Sequence, residues 1–235
     1  GVSATFLDIK VPMRDSRGTI TGIIGVSREV TSRIRTQPEK PLPVHEYRAP
    51  AFRQTLRSAR MAAETDSVIL LIGESGAGKD YVARYIHRHS RRASGPFFSI
   101  NCAAVAPELA ESELFGYESG AFTGARGTKK GLLELAEGGT ILLNEIGELS
   151  LMLQAKLLTF LDTRQFTRVG GVKVRSVSAR LIAATNRDLA EEVQQKRFRH
   201  DLFYRLDVFT IEVPPLRERV DDIPDLAKDI VRDLT

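Results

Sequence analysis

The sequence has a single cysteine, Cys102, in 235 residues, so no disulfide can form within the chain. That usage is typical of a reducing compartment, and we expect a cytoplasmic protein. No apolar run approaches the length of a membrane-spanning helix and no signal peptide opens the chain, so we expect no contact with a membrane. The sequence also has no large excess of charge of either sign. The 34 basic and 30 acidic residues give a net charge of +4, which suits a phosphate-handling surface but does not by itself indicate DNA binding.

The main part of the chain shows two alternating patterns. Hydrophobic residues make up 42% of the sequence, enough for a packed core. From residue 51 onward, helical and strand patterns alternate, which predicts an α/β fold with a parallel sheet and helices on both faces. Strands are predicted over residues 67–73, 97–102, 141–144, 180–185 and 208–213, and helices over residues 51–63, 79–89 and 150–161.

The first 50 residues read differently. Residues 6–30 alternate around a turn at 15–18 and predict a β-hairpin. An isolated hairpin is only marginally stable, so we expect residues 1–35 to be the end of a domain that begins upstream. The stretch from Val11 to Ile34 resembles the closing strands of a PAS sensory domain, although any other hairpin remains an alternative. Prolines at 38, 41, 43 and 50 predict a stiff linker over residues 36–50.

A glycine-rich loop follows the first predicted strand of the main part. Its residues have the spacing of a phosphate-binding loop, with a strand before and a helix after. Backbone N–H groups in such a loop can turn toward a polyphosphate, and the helix N-terminus adds its positive dipole end. The alternative is a tight turn with an exposed lysine. The loop predicts ATP binding by Gly73, Glu74, Ser75, Gly76, Ala77, Gly78, Lys79 and Asp80.

Two positions near this loop depart from the usual pattern of such ATPases. Asp80 follows the lysine where Ser or Thr normally ligates Mg²⁺, and a carboxylate can also serve that ion. The apolar strand at 141–143 ends in Asn144 and Glu145, although an acid at the end of such a strand usually helps to hold the metal. We therefore expect Mg²⁺ near Asp80, Asn144 and Glu145, and ask whether the chain hydrolyses ATP or merely binds it.

One further block identifies a family. The run Tyr117-Glu118-Ser119-Gly120-Ala121-Phe122-Thr123-Gly124-Ala125 resembles the signature of the sigma-54-dependent transcription activators (bacterial enhancer-binding proteins) of the AAA+ ATPases. The resemblance runs from about Pro50 to the C-terminus, and further blocks occur in the family's order: Gly73-Glu74-Ser75-Gly76, Asn101-Cys102-Ala103-Ala104, Glu113-Leu114-Phe115-Gly116 and Val213-Pro214-Pro215-Leu216-Arg217-Glu218-Arg219.

The resemblance implies an AAA+ P-loop fold and roles for particular residues. Glu145 would be the general base, with a solvated acid as the alternative. Asn101 would restrain Glu145, or would simply satisfy loop backbone. Asn186 would sense the γ-phosphate, or would cap a helix. The contact with sigma-54 would be made by a mobile loop, unless its phenylalanine tucks into the core, and this loop comprises Gly120, Ala121, Phe122, Thr123, Gly124 and Ala125.

Two arginines and a hairpin complete the family's pattern. Arg199 and Arg205 match the arginine fingers that reach a neighbouring subunit's site, since guanidinium binds phosphate oxygens bidentately; two surface arginines are the alternative. On one regular helix their separation would place them about 240° apart, so we expect different jobs, one at phosphate and one at the interface. Residues 165–174 predict a hairpin, the family's second surface loop. His87 and His89 suggest a solvated helix face.

The function implied is ATP-dependent remodelling of the closed promoter complex of sigma-54 RNA polymerase holoenzyme by a homo-oligomeric ring, a hexamer or heptamer. Because Asn144 stands where the family has aspartate, we expect weakened metal binding and impaired hydrolysis. The core would span residues 51–220. Residues 221–235 would only begin the helical lid, and DNA would be contacted by a C-terminal domain not present in this chain. A nucleotide-binding switch without turnover and a ligand-sensing fragment that pairs chains through its PAS-like hairpin are the alternatives.

Overall fold

The computed structural model of the chain describes residues 6–14, 20–29, 47–122, 125 and 127–234. The chain divides into two compact units, residues 1–36 and 37–235. In the first unit, β1 (Phe6–Arg14) and β2 (Ile20–Glu29) pair as antiparallel strands, which confirms the predicted hairpin. Its turn at 15–18 and residues 36–46 of the predicted linker lie outside the described residues.

The second unit alternates helices and strands. The strands are β3 (Ile69–Ile72), β4 (Phe97–Asn101), β5 (Gly116–Tyr117), β6 (Lys129–Lys130), β7 (Thr140–Asn144), β8 (Gln165–Thr167), β9 (Val174–Ser176), β10 (Arg180–Thr185) and β11 (Thr210–Glu212). The helices are α1 (Pro50–Ala63), α2 (Lys79–Arg88), α3 (Pro107–Phe115), α4 (Leu132–Leu135), α5 (Leu151–Thr163), α6 (Leu189–Gln194), α7 (His200–Leu206) and α8 (Ile223–Leu234).

Five of these strands form one parallel sheet in the order β11-β3-β10-β7-β4. The central strand β10 is buried at all six positions, and β7 is buried up to Asn144. Strands buried on both faces are expected only where helices cover a parallel sheet on both sides. The predicted α/β architecture is therefore confirmed.

One face of the sheet packs against α1 and α2. Leu142, Ile182 and Ala184 share a core cluster with Phe52 of α1 and Ile86 of α2. Pro50 occupies the first turn of α1, where a missing N–H is tolerated, and the buried residues of α1 recur at helical spacing. Side chains alternate along a strand, so the equally buried neighbours Ile141, Leu143, Leu181 and Ala183 face the opposite side.

The expectation for His87 was wrong. Its side chain is 1% exposed, and Nδ1 lies 2.9 Å from the hydroxyl of Thr140 at the start of β7. His87 is therefore a core residue between α2 and the sheet, whereas His89 is exposed as expected. Within the described ranges, no helix is both long and apolar enough to cross a membrane.

Candidate nucleotide-binding site

The glycine-rich loop joins the C-terminal end of β3 to the N-terminus of α2. Gly76 and Gly78 have φ of 79° and 93°, the left-handed region that glycine adopts most readily. A Cβ on Gly73 would lie 2.6 Å from the carbonyl oxygen of Val213, so this position is closed to any other residue. The Gly73 N–H donates to the carbonyl of Thr185 over 3.2 Å. The neighbouring strands β10 and β11 thus hold the base of the loop.

Lys79 turns back into its own loop. Its side chain is 6% exposed, and Nζ donates to the carbonyls of Gly73 (2.8 Å) and Glu74 (3.1 Å). Nζ also lies 3.4 Å from Oε1 of Glu145. A buried ammonium is stable only when such acceptors surround it, so the alternative of an exposed lysine on a simple turn does not describe this chain.

Glu145 follows β7 with a left-handed backbone, φ 52° and ψ 53°. Few residues other than glycine adopt that conformation. Its second carboxylate oxygen, Oε2, accepts a hydrogen bond of 3.1 Å from the backbone N–H of Asn186, just beyond β10. The side chain of Glu145 therefore meets Lys79 and the start of the β10–α6 connection at one point of the sheet edge. The N-cap of α6 is Asp188, so Asn186 does not cap that helix.

Asn101 and Asp80 lie at the same sheet edge but make other contacts. Asn101 accepts a hydrogen bond of 3.0 Å from the N–H of Ala103, which is the alternative of satisfying loop backbone. Asp80 pairs with Arg84 at 2.8 Å and accepts a 3.4 Å hydrogen bond from Ser99. Neither side chain contacts Glu145 in this conformation.

The predicted metal ligands come from the end of the phosphate loop and from the end of β7, and they do not form a cage. Asn144 is half-buried and lies opposite Asn101 in the register of β7 and β4. In the part of the chain that the structure describes, no three His, Cys, Asp or Glu side chains are grouped so that they could hold a metal ion. Oxygen donors such as Asp80 and Asn144 nevertheless suit Mg²⁺, which needs only one or two protein carboxylates when phosphates supply further oxygens.

Cys102 is a structural residue beside this edge. Burial, together with the charge of Glu145, raises the pKa of its thiol to about 12. The thiolate is the reactive form of cysteine. Cys102 is therefore chemically inert in the folded chain.

Arg219 holds the phosphate loop through a contact that no sequence motif predicted. Arg219 is 5% exposed, and Nη2 donates to the carbonyl of Ala77 over 2.6 Å. Its guanidinium also lies over the ring of Phe52 at 4.2 Å. Arg217 pairs bidentately with Glu74 at 2.7 Å, at the surface. Both arginines belong to the block at 213–219 that carried the family resemblance without a role.

The two predicted finger arginines do not share one helix. Helix α7 begins at His200, and Arg199 precedes it with an extended backbone, so the angle of about 240° expected for one regular helix does not relate the two arginines. Arg199 pairs with Asp201 at 3.0 and 2.7 Å. Arg205 pairs with Asp162 at 3.0 Å. Both guanidiniums lie at the surface and are ion-paired within their own chain.

The signature loop rises from the hairpin base formed by β5 and β6. Phe122 is 44% exposed, so its side chain is not tucked into the core, and it makes an edge contact with Tyr117 at 5.1 Å. The N–H of Gly120 donates to the carbonyl of Ala125 over 3.1 Å and closes the described part of the loop. The predictions for Thr123 and Gly124 lie outside the described residues.

The predicted hairpin at 165–174 is present as β8 and β9, and it is joined to the signature loop. Arg168 donates two hydrogen bonds, of 2.6 and 2.8 Å, to Glu134 of α4 and a third of 3.1 Å to Glu118. Arg175 also contacts both carboxylates. This four-residue cluster makes the two loops one ion-paired unit.

The ion pairs change how these carboxyl groups titrate. Burial alone would raise the pKa of Glu134, but the hydrogen bonds and charge of Arg168 outweigh it and lower the pKa below its usual value of 4.5. The same bonds raise the pKa of Arg168. The charges of Glu134 and Arg168 are therefore both present at neutral pH.

Comparison with known proteins agrees with this geometry. The family model described as "Sigma-54 interaction domain" matches residues 46–212. The chain is 49% identical over 197 residues to the transcriptional regulatory protein FlbD of Caulobacter vibrioides, covering 84% of this chain and 43% of that protein. It is 52% identical over 179 residues to the regulatory protein AtoC of Escherichia coli, covering 76% and 39%.

Solved structures are also similar. NtrX from Brucella abortus in complex with ATP superposes with a TM-score of 0.73 at 38% identity, covering 82% of this chain and 44% of that one. The chain thus spans less than half the length of each of these relatives. The family model nevertheless covers more than half of this chain, and the chain belongs to the sigma-54 interaction domain family of AAA+ transcription activators that its motifs predicted.

Proposed function

We propose that this chain is an ATPase that uses ATP binding and hydrolysis to remodel the closed promoter complex of sigma-54 RNA polymerase holoenzyme. One observation carries the proposal: the phosphate loop brings a buried Lys79 within 3.4 Å of Glu145, which also meets the backbone of Asn186. An ammonium that binds phosphate oxygens thereby lies beside a carboxylate that can orient water. Relatives that are transcription regulators, and one solved with ATP, support the same function.

In this proposal the phosphates of ATP replace the contacts that Lys79 makes within its own loop. The N–H groups of residues 73–78 and the N-terminus of α2 receive the phosphates. Lys79 leaves the carbonyls of Gly73 and Glu74 and moves to the terminal phosphates. Its departure also releases Oε1 of Glu145, which becomes free to accept a hydrogen bond from the attacking water. Binding therefore prepares the general base.

Asn101 and Asn186 would adjust this base. Asn101 lies near Glu145 at the same edge, and a change of side-chain rotamer would allow it to donate to the carboxylate and restrain it. Asn186 already donates its backbone N–H to Oε2, which leaves its exposed amide side chain free to contact the γ-phosphate. The position of Glu145 would then depend on the bound nucleotide through both Asn101 and Asn186.

Mg²⁺ would be held next to the phosphates by Asp80, Asn144 and Glu145, directly or through water. When bound, it would neutralise charge that develops on the phosphates. The amide of Asn144 can accept a hydrogen bond from a metal-bound water but has no charge of its own. Asp80, now paired with Arg84, would supply the missing charge by turning away from that arginine.

Sigma-54 would be bound by residues 120–125, with Phe122 as the main apolar contact. Phe122 is already half in solvent, and Arg168 ties its loop to the second hairpin through Glu118. Movement of the pair would therefore be concerted.

Subunits of a homo-oligomeric ring, a hexamer or heptamer, would complete one another's sites. Arg199 and Arg205 would leave Asp201 and Asp162 and contact the neighbouring subunit's phosphates and interface. Residues 1–35, which fall within the compact unit at 1–36, would be the PAS-like sensory part, and residues 221–235 would begin the lid. Such a machine acts where RNA polymerase is, in the cytoplasm.

The test is ATP turnover against Mg²⁺ concentration, at protein concentrations where light scattering shows rings. Glu145→Gln should bind ATP but lose turnover, and Asn144→Asp should saturate at about 10- to 100-fold lower Mg²⁺, because a charge-assisted hydrogen bond contributes about 1.5–3 kcal/mol. An unchanged rate in Glu145→Gln would refute the assigned base.

A second candidate function is a nucleotide-gated switch that binds sigma-54 without turnover. Asn144 favours it, because the uncharged amide weakens the proposed metal site. The switch predicts that the unaltered chain binds ATP but releases no phosphate at any Mg²⁺ concentration. It also predicts that Asn144→Asp restores hydrolysis. Phosphate release by the unaltered chain would exclude it.

A further inference from the structure

A cavity of about 460 Å³ lies at the other edge of the sheet. Its wall includes Arg180, where β10 begins, together with Arg92, Arg164 and the segment at 176–179. The phosphate loop lies at the C-terminal edge of the same parallel strands, so the cavity is separate from the proposed ATP site. Three guanidiniums border it.

The carboxylates of the cavity wall are already engaged. Asp66 binds Nε and Nη2 of Arg92, both at 3.0 Å. Glu137 accepts the N–H of Ser178 over 2.9 Å. The hydrogen bonds of these two carboxylates are therefore made with groups other than Arg164 and Arg180.

Arg164 and Arg180 make no ion pair with any carboxylate in the described ranges. Arg180 is 1% exposed. It donates to the carbonyls of Ala62 and Ala63 at the end of α1 over 2.6 and 3.4 Å, and its Nε has no partner. Arg164 donates one hydrogen bond, of 3.0 Å, to the carbonyl of Ala179. The carbonyl dipoles at the end of α1 compensate only part of a full charge.

Like charges add to this imbalance. Burial lowers the pKa of Arg180 to about 10. Burial also lowers the pKa of Arg164, and the charges of Arg205 and Arg92 lower it further, against the smaller opposing effect of the Asp66 carboxylate. Buried charges in proteins are normally paired, and the wall has three guanidiniums but only two carboxylates, Asp66 and Glu137, so one positive charge is left without a counter-charge.

We propose that this cavity binds a small phosphate-type oxyanion, either free inorganic phosphate or the phosphate group of a small metabolite. Arg164 would bind it through the N–H groups not used on Ala179, since guanidinium matches the geometry of phosphate oxygens. Ser178, whose Oγ accepts from Arg92 over 3.1 Å, has its hydroxyl hydrogen available to donate. Arg92 and Arg180 would supply charge from the wall.

The site has a consequence for the second hairpin. Arg164 is the residue between α5 and β8, and its charge acts on Arg205. A bound anion would fix the base of the hairpin and weaken the repulsion between these two arginines. Binding of an anion in this cavity would thereby affect Arg205, one of the two proposed arginine fingers.

The test is calorimetric titration of inorganic phosphate into the chain saturated with ADP; because ADP leaves the γ-phosphate position beside Lys79 open, binding in the cavity is identified as the part that depends on Arg164. Arg164 has φ 57°, a conformation that asparagine tolerates, so Arg164→Asn removes the guanidinium without new backbone strain. We expect this variant to bind phosphate about 10- to 100-fold more weakly. Arg57→Gln, which removes an exposed arginine of α1, should bind as the unaltered chain does.

Two further measurements decide the remaining outcomes. Arg164→Lys keeps the charge but not the planar set of donors, so it should bind phosphate more weakly than the unaltered chain and more tightly than Arg164→Asn; if Arg164→Asn does not fold, unaltered binding by Arg164→Lys would count against the proposal. Glycerol 3-phosphate is the second probe: tighter binding than phosphate would identify a metabolite, and weaker binding would identify the free ion. No binding in the presence of ADP, or equal binding by Arg164→Asn, would overturn the proposal and leave Arg180 as a cap of α1.

Discussion

Removal of the Arg219 guanidinium should loosen the phosphate loop. Arg219→Met keeps an unbranched apolar side chain against Phe52 but loses the 2.6 Å hydrogen bond to the carbonyl of Ala77 and the contact over the ring. The carboxylate of Asp222 would still accept its hydrogen bonds from the backbone N–H groups of Arg48 and Ala49, at 2.7 and 3.1 Å. The substitution therefore acts mainly on the loop.

The magnitude follows from these two contacts. A hydrogen bond from a charged donor contributes about 1.5–3 kcal/mol, and a desolvated cation–π contact about 0.5–2 kcal/mol. The free energy of unfolding should therefore fall by about 2–5 kcal/mol. Only the hydrogen bond orients the loop, so the affinity for ATP should fall about 10- to 100-fold.

The assay combines thermal unfolding with titration of ATP. Arg219→Lys, which keeps charge with fewer fixed donors, should bind ATP with intermediate affinity. Arg217→Met is the matched control, because its pair with Glu74 is exposed to solvent, and it should change neither quantity measurably. If Arg219→Met unfolds earlier but binds ATP as the unaltered chain does, Arg219 is only a packing residue and the reasoning fails.

Three further results are expected. Because the pKa of Glu134 is lowered in the folded state, its ion pair stabilises the chain above about pH 4.5 and this contribution is lost as the pH falls further; Arg168→Gln should remove that part of the acid destabilisation in pH-dependent melting, and an unchanged pH profile would contradict it. Gly116→Ala should lower the melting temperature and loosen the loop base in hydrogen exchange, because Gly116 has φ 75° and a Cβ would lie 2.4 Å from the carbonyl of Lys129; unaltered exchange would argue against this strain. Cys102 should resist alkylation by iodoacetamide at pH 8 until the chain unfolds, since its pKa is about 12; rapid labelling of the folded chain would refute the burial argument.

The features predicted correctly from the sequence were those encoded by neighbouring residues. The glycine-rich loop combines a strand, two left-handed glycines and a helix start within a dozen residues, and hydrophobic runs marked β7 and β10 as central strands. The hairpins at 6–30 and 165–174 were visible because alternation and turn residues are local. Each of these patterns depends on backbone geometry that a short stretch determines by itself.

The features that were missed depend on contacts between distant parts of the chain. Arg219 reaches Ala77 across 142 positions, and no local pattern distinguishes it from a surface arginine. His87 was assigned to a solvated helix face because no Cys or carboxylate stands at metal-ligand spacing from it, whereas its position on α2 directs it toward Thr140. Arg199 was considered as part of one helix, but the hydrogen bond from its N–H to Gln154 of α5 fixes it in front of the helix start.

At Glu145 the backbone conformation costs stability, whereas the side chain is the one that the proposed catalysis needs. A left-handed residue other than glycine costs about 1–3 kcal/mol, and glycine or asparagine would adopt φ 52° with less strain. Glu145→Gly or Glu145→Asn would relieve this strain but would also remove the carboxylate beside the buried ammonium of Lys79, and either change would discard the proposed base. Variants of this chain that are chosen for robustness should be screened for phosphate release before they are used as substitutes for it.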